Sequence, residues 1–288
     1  MLNDSVTNFI KSFTEQNNLS DIELIFVIGD CRENYSEIRN KIENVLGSDF
    51  TLLQDKVEGS GPSRCWCIGL KAAKGAFVSF IATDTVVDKG WLSVLLSKLR
   101  LQKRGSCLVG NIAGTESKDY LSVIEKAIDQ RRFDSVIVDF RNFIGDRELL
   151  LNILNKYFSG KYFSDVELDF VLKSQLKIVP IRVPELMIYN RYPDTLSASV
   201  QRKFKHGIGY GRICKIFIDK FRSIRTYGLY EFFIATGILC SETWHAKLSY
   251  DNIIILAFLN MIFLSGMFFG VVLPSIFTRK YYRFHFDE

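Results

Sequence analysis

The sequence lacks the clustered cysteines and histidines that would bind a metal ion through sulfur or nitrogen. It has six cysteines and three histidines, and the close cysteine pair is Cys65 and Cys67, with Trp66 between them. A zinc finger needs a second such pair at a regular spacing. We therefore expect Cys65 and Cys67 to be small apolar residues on a buried turn.

The first residues lack the apolar segment of a secretory signal peptide. The stretch MLNDSVTNFIKSFTEQ is polar and amphipathic, whereas a signal peptide carries a continuous apolar stretch near its start. Scattered cysteines are typical of a reducing compartment. We therefore expect the folded part of the chain to lie in the cytosol.

Charge is missing from one long stretch towards the C-terminal end. No charged residue occurs from Ile253 to Phe277, and a helix of that length, at about 1.5 Å per residue, crosses a bilayer core of about 30 Å. We predict a transmembrane helix here, with a buried core helix as the alternative. A shorter apolar stretch, Leu229 to Cys240, contains Glu231 and cannot span alone; it is expected to be a re-entrant or interfacial segment, or half of a helical hairpin. A helical hairpin of both stretches would keep the catalytic domain and the C-terminus cytosolic.

The formal net charge of +5 comes mainly from the C-terminal third. In Arg212 to Arg225, Ile213, Phe217 and Phe221 recur at helical spacing among basic residues. Such a basic amphipathic helix is typical of a membrane surface with anionic lipid. Nucleic-acid binding is the competing explanation, and the neighbouring apolar run argues against it. We predict a globular domain over residues 1–211 and a basic, membrane-associated helical region over residues 212–288.

The pattern of residues 1–211 predicts an α/β domain. Apolar runs at Ile22 to Ile28, in DFTLLQD and in AFVSFIATD predict strands, and SEIRNKIENVLG and IGLKAAKG predict the helices between them. This alternation predicts a mostly parallel sheet flanked by helices. Further along, DSVIVDF predicts a strand, DRELLLNILNKYF a helix, and SDVELDFVLKSQLKIVPIRVP a helix followed by a strand that ends at Pro184.

Asp84 follows the third predicted strand, between Thr83 and Thr85. Ligands of α/β proteins bind at the carboxyl ends of the strands, and a carboxylate there can bind a hard cation that carries phosphate oxygens. The alternative is a local role for Asp84, either as an Asx-turn residue or as the N-cap of the helix that carries Trp91 to Leu99.

The order of these motifs resembles the nucleotide-sugar glycosyltransferases of family 2. The matching segments are IELIFVIGD, GLKAAKG (Gly69 to Gly75), FIATDTVVDKGWL and FSDVELDFVL (Phe163 to Leu172). The resemblance implies a GT-A fold, which is Rossmann-like, and transfer with inversion of the sugar's anomeric centre. The chain departs from the family pattern at the first strand, which has no counterpart, at Ala82 and Ser164, where the family has acids, and at Cys65-Trp66-Cys67, where it has Ala-Arg-Asn.

The resemblance also implies roles for particular residues. Asp165 is the predicted general base, and Asp84 the predicted ligand of Mg²⁺ or Mn²⁺. Asp30 and Arg64 are predicted to contact the donor, Asp30 at the base or ribose. From its own sequence context, the stretch QRKFKHGIGYGR, His206 is predicted to contact the diphosphate. Asp165 could instead be a helix N-terminal acid, with Glu167 or Asp169 as the base, and His206 could be a surface residue.

These features predict a membrane-associated, metal-dependent enzyme, with its catalytic domain on the cytoplasmic side. It would transfer a sugar, as a hexosyltransferase, from a nucleotide-diphosphate donor to a lipid-linked or cell-surface glycan acceptor. The alternative is a catalytically inactive relative that acts as a binding or scaffolding partner. A nucleotidyltransferase is a third possibility, but the sequence lacks its Gly-rich, lysine-bearing loop. We expect membrane lipid, and no nucleic acid, among the partners.

Overall fold

The structure is a computed structural model, and it describes residues 4–17, 19–29, 35–56, 62–114, 126, 129–130, 133–134, 136–160, 163–190, 195–201, 203–204, 207, 254, 258–259 and 261–266. The chain divides into two compact units. The first comprises Met1–Ala113, Arg132–Arg191 and Tyr282–Glu288, and the second comprises Gly114–Arg131 and Tyr192–Tyr281. The functional division at residue 211 stays a prediction.

Helices and strands alternate along most of the described chain. Their order is α1 (Asp4–Thr14), β1 (Ile25–Ile28), α2 (Tyr35–Leu46), β2 (Thr51–Gln54), α3 (Pro62–Ala72), β3 (Phe77–Phe80), β4 (Thr85–Val87), α4 (Trp91–Arg100), β5 (Cys107–Gly114), β6 (Phe143–Asp146), α5 (Arg147–Phe158), α6 (Asp165–Phe170) and β7 (Ile181–Asn190). A 3₁₀ turn, Leu19–Asp21, precedes β1, and a π-helical turn, Val171–Gln175, extends α6. The predicted α/β class is confirmed.

The prediction of a mostly parallel sheet is wrong, because the described strands form a mixed arrangement. β1 and β2 pair in parallel, while the other strands form a five-stranded sheet in the order β3-β6-β5-β7-β4. β6 runs antiparallel to β3 and β5, and β4 runs antiparallel to β7. The β1–α2–β2 unit is the parallel crossover that the sequence alternation predicts, whereas β6 comes from a part of the chain without such alternation.

The five-stranded sheet is curled. β3 and β4 lie at its two edges, yet only residues 81–84 join them. In a flat sheet the two edges would be four strand spacings of about 4.8 Å apart. That is about the longest distance that so short a connection can span when fully extended. The curl brings the ends of β3 and β4 together, and the turn between them carries Asp84.

The predicted strand at DSVIVDF is wrong. The described residues of this segment form no strand, although Ile137, Val138 and Phe140 are buried. A side chain, and not a neighbouring strand, binds the backbone here: the Val138 N–H donates to the Asp169 carboxylate at 3.0 Å. The strand that does form, β6, begins at Phe143. The predicted strand end at Pro184 is also wrong, because β7 continues to Asn190.

Helix α1 packs along the edge strand β4 and satisfies some of its polar groups. The Val87 N–H donates to Ser12 Oγ at 3.2 Å. Gln16 donates through Nε2 to the Asp88 carbonyl at 2.8 Å and accepts from the Leu92 N–H at 3.0 Å. Phe9, Ile10 and Phe13 of α1 enter the same apolar core as Trp91 and Leu92 of α4. The helix therefore covers a sheet edge that would otherwise be open.

Asn142 is the polar centre of the sheet. Its side chain is fully buried; Oδ1 accepts from Trp91 Nε1 at 3.2 Å, and Nδ2 donates to the carbonyls of Asn111 and Leu186, each at 2.9 Å. One amide thus links β5, β7 and α4. Gly110 leaves the space for it, because a Cβ at that position would lie 2.3 Å from Asn142 Nδ2.

Among the helices of the described part, none combines the length and the apolar character that a bilayer crossing needs. The predicted transmembrane run from Ile253 to Phe277 lies mostly outside the described residues. The predicted basic helix, Arg212 to Arg225, and the shorter apolar stretch, Leu229 to Cys240, lie outside them altogether.

We expect Gly110→Ala to lower the free energy of unfolding by about 2–4 kcal/mol, because the new methyl group displaces the Asn142 amide and leaves buried groups without partners. Denaturant unfolding followed by circular dichroism measures the change. Gly69→Ala, within helix α3, is the matched control, since the new Cβ would make an ordinary 3.5 Å contact with Val27. We expect it to be neutral or stabilising by up to about 1 kcal/mol. Equal losses in the two variants would contradict the role of Asn142.

Candidate functional site

Asp55 lies at the carboxyl end of the parallel pair β1–β2. It directly follows β2, and its N–H donates to the Ile28 carbonyl at 2.8 Å. Its side chain is 1% exposed. A carboxylate this deeply buried needs a charged or hydrogen-bonding partner. Sequence reasoning missed Asp55, although an aspartate directly after a strand is the same signal that identified Asp84.

Arg64 is the ion-pair partner of Asp55. It lies in the first turn of α3, and its Nε is 3.0 Å from both carboxylate oxygens of Asp55. Its side chain is 38% exposed, so the guanidinium lies between a buried carboxylate and solvent. The structure thus places the predicted donor-binding residue Arg64 at the carboxyl end of a parallel strand pair.

The Cys-Trp-Cys segment is part of helix α3, which corrects the prediction of a buried turn. A Cβ added at Gly29 would lie 3.0 Å from Cys65 Sγ, so the helix approaches the end of β1 closely. Burial, followed by the negative charge of Asp55, raises the pKa of Cys65 to about 11. Burial raises the pKa of Cys67 to about 12. Both side chains are therefore neutral thiols at physiological pH and act as packing residues.

Asp84 is exposed in the turn between β3 and β4. Thr85 closes the turn by donating to the Ala82 carbonyl, through N–H at 3.3 Å and through Oγ1 at 2.6 Å. Asp84 lies in a turn, but neither local alternative holds: its carboxylate accepts no Asx-turn hydrogen bond from the described residues, and α4 begins at Trp91 with Gly90 as its N-cap. In the described part of the chain the Asp84 carboxylate has no hydrogen-bond partner.

Asn190, the last residue of β7, is a second polar group beside this turn. It lies opposite Thr85 in the antiparallel β4–β7 ladder and is 1% exposed. Within the described residues, neither its Oδ1 nor its Nδ2 has a hydrogen-bond partner. Buried amides are nearly always paired, so a bound water or ligand is the expected partner. No sequence signal distinguishes Asn190 from other strand-end residues.

Asp165 is the first residue of α6 and is half-buried. The preceding residue, Ser164, is the N-cap: its Oγ accepts from the Glu167 N–H at 3.3 Å, and Glu167 Oε2 accepts from the Ser164 N–H at 2.7 Å. Ser164, which replaces the family's glutamate, is thus part of a capping box. Asp165 occupies the first turn of the helix, as the alternative reading also predicts.

The two alternative bases have partners in the fold. Glu167 closes the capping box, and Asp169 is buried, accepts from the Val138 N–H and pairs with Lys173 at 2.8 Å. These contacts hold both side chains within the fold, and the assignment of Asp165 as the base stays a prediction.

An aromatic cluster of Trp66, Phe80, Phe140 and Phe163 joins the segments that carry the predicted site residues. The ring centroids of Trp66 and Phe80 are 5.8 Å apart, those of Phe80 and Phe140 are 4.8 Å apart, and those of Phe140 and Phe163 are 5.9 Å apart. The Phe163 N–H also donates to Cys67 Sγ at 3.4 Å. The cluster packs α3, the end of β3 and the start of α6 against one another.

Three of the predicted site residues are thus close in the chain to members of the cluster. Arg64 precedes Trp66, Asp84 follows Phe80, and Asp165 follows Phe163 by short lengths of chain. Asp30 and His206 lie outside the described residues, so their predicted contacts with the donor stay predictions. Within the described residues, no group of three His, Cys, Asp or Glu side chains could hold a metal ion.

Comparison with solved structures gives similarity to S. aureus TarS. The crystal structure of TarS 1-349 in complex with UDP-GlcNAc has a TM-score of 0.47 and 18% sequence identity, over 66% of this chain and 55% of that chain. The crystal structure of TarS 1-349 has a TM-score of 0.48 and 16% identity, over 96% of this chain and 71% of that chain. This protein thus spans little more than half of the TarS chain in the UDP-GlcNAc complex.

No curated protein matches the chain. The model of glycosyl transferase family 2 matches residues 3–165, a range that begins just before α1 and includes Arg64, Asp84 and Asp165. Because this match covers more than half of the chain, the chain belongs to glycosyl transferase family 2.

Proposed function

We propose that this protein is a membrane-associated, metal-dependent glycosyltransferase. It transfers a hexose from a nucleotide-diphosphate donor to a lipid-linked or cell-surface glycan acceptor, with inversion, and its catalytic domain lies on the cytoplasmic side of the membrane. Family membership supports the reaction class. The observation that carries the proposal is the aromatic cluster, because it draws together the segments bearing Arg64, Asp84 and Asp165.

The turn that carries Asp84 suits a hard cation. Mg²⁺ and Mn²⁺ prefer oxygen ligands; Asp84 offers an exposed carboxylate, and the neighbouring Asn190 offers an amide oxygen without a partner in the described residues. These two residues would hold the ion. The ion would supply positive charge to the departing diphosphate.

Asp165 is the proposed general base. Its carboxylate would accept the proton of the acceptor hydroxyl while the hydroxyl oxygen forms a bond to the anomeric carbon of the donor sugar. The bond from that carbon to the diphosphate oxygen breaks, and the nucleoside diphosphate leaves. Attack from the face opposite the leaving group inverts the anomeric centre. Arg64 would bind the donor through charge-assisted hydrogen bonds.

Membrane association is proposed from sequence features. The uncharged run from Ile253 to Phe277 and the basic stretch from Arg212 to Arg225 would hold the catalytic domain near a lipid-linked acceptor. The cytoplasmic side follows because nucleotide sugars are cytosolic.

A catalytically inactive relative is the second candidate. It is favoured by Ala82 in place of the first acid of the metal motif, which leaves Asp84 as that motif's acidic ligand. Such a protein would keep the fold and act as a binding or scaffolding partner for an active transferase. Measurement of donor binding and turnover in the variants below separates the two candidates.

We expect Asp84→Asn to weaken Mn²⁺-dependent binding of the donor about 10–100-fold, because the variant lacks the carboxylate that would hold the ion. Isothermal titration with UDP- and GDP-sugars, with and without Mn²⁺, measures the affinity. The free energy of unfolding should change by less than about 0.5 kcal/mol, since the side chain is exposed. Asp49→Asn, which alters an exposed aspartate before β2, is the control. Unchanged Mn²⁺-dependent binding in Asp84→Asn would refute this metal site.

Asp165→Asn should lower kcat about 10²–10⁴-fold with little change in donor affinity, because the amide cannot accept the proton. Glu148→Gln is the matched control: it also removes a first-turn acid, in α5, so both variants lose a similar helix-dipole contribution. Turnover is measured as release of nucleoside diphosphate in the presence of acceptor. A wild-type protein that binds donor without turnover on lipid-linked or glycan acceptors would favour the inactive relative.

A further inference from the structure

The Asp55–Arg64 pair leaves most of the arginine's hydrogen-bonding capacity unused. Arg64 donates to the carboxylate through Nε, and the four N–H groups on its two Nη atoms have no hydrogen-bond partner within the described part of the chain. Arginine is always charged, and its planar fork matches two phosphate oxygens at once. One edge of the guanidinium is thus fixed by Asp55 and the other edge is available to a ligand.

The position of the pair matches where ligands bind in this class of fold. Asp55 follows β2, and its backbone continues the parallel ladder with β1. Ligands of α/β proteins bind at the carboxyl ends of parallel strands. Arg64 is 38% exposed at this end, so its side chain is accessible to a bound molecule.

The backbone around Arg64 is fixed by close packing. Cys65 lies against Gly29 at the end of β1, and on the same helix Trp66 and Cys67 contact Phe80 and Phe163. With the helix held in this way, the buried Asp55 carboxylate selects the orientation of the arginine side chain. A preorganised side chain loses less conformational entropy when its ligand binds.

We propose that Asp55 is a positioning residue that holds Arg64 in the orientation in which its Nη groups bind the diphosphate of the nucleotide donor. Asp55 itself does not contact the donor; it acts through Arg64. This inference rests on the proposed function, since it assumes a nucleoside-diphosphate ligand. It adds a residue that the sequence reasoning did not identify, and it explains why a carboxylate is buried at the end of β2.

The test is a double-mutant cycle on the full chain, with UDP and GDP as ligands in isothermal titration. We expect Asp55→Asn to weaken binding of the nucleoside diphosphate about tenfold and Arg64→Gln to weaken it at least as much. Asp55→Asn should add no further loss in the Arg64→Gln background. The affinity of the corresponding nucleoside should stay unchanged in every variant, because the diphosphate is the group that Arg64 binds.

Glu43→Gln is the matched control. Glu43 accepts from the Arg39 Nε at 2.7 Å on the exposed surface of α2, so this variant breaks a similar ion pair away from the proposed site. We expect it to leave the affinity for UDP and GDP unchanged.

Two variants keep the test valid if a single substitution prevents folding. Arg64→Lys retains a positive charge for Asp55 but loses the planar fork, and we expect about tenfold weaker binding of the diphosphate. The combined Asp55→Asn/Arg64→Gln variant removes both charges and so leaves no buried charge unpaired. A purely structural pair would lower the melting temperature of these variants but leave their affinity for UDP and GDP unchanged.

The outcomes separate this inference from the proposed function. A wild-type protein that binds neither UDP nor GDP would overturn both. Binding by the wild type that is retained in Asp55→Asn and Arg64→Lys, or losses that add in the double-mutant cycle, would overturn the positioning role alone.

Discussion

The packing of Trp66, Phe80, Phe140 and Phe163 is the interaction on which the candidate site depends. These side chains come from α3, β3 and the segments before β6 and α6, and aromatic contacts of this kind stabilise beyond the area they bury. Each of the three predicted site residues in the described chain lies within a few residues of one cluster member. A change in this packing would therefore move Arg64, Asp84 and Asp165 relative to one another.

The cluster also gives a physical reason for one departure from the family pattern. Trp66 and Cys67 occupy positions where the family has polar residues, and here they contact Phe80 and Phe163. In the same way, Ser164 replaces an acid and caps α6. These residues add contacts that hold the fold. The Asp55–Arg64 pair, in contrast, retains charge at the first turn of α3.

Buried polar groups tie the remaining elements together. Asn142 links β5, β7 and α4 through its amide, and Gln16 and Ser12 join α1 to the chain around β4. Hydrogen bonds of this kind have directional requirements, so they select one register and one docking position, whereas apolar contacts tolerate small shifts. They keep β4, and with it the turn that carries Asp84, at a defined place on the curled sheet.

The sequence by itself determined the α/β class, the strands β1, β2 and β3 and the helix α2, because continuous apolar runs and helical spacing are local signals. It also singled out Asp84 by its place after a strand and Arg64 and Asp165 through the order of the family's motifs, and the roles of all three stay predictions. Tertiary structure alone decided that β6 lies between β3 and β5, that the segment before it forms no strand in its described residues, and that Asp55 pairs with Arg64. The physical reason is that strand partners, buried ion pairs and the curl of a sheet depend on residues distant in the chain, and local patterns carry no information about them.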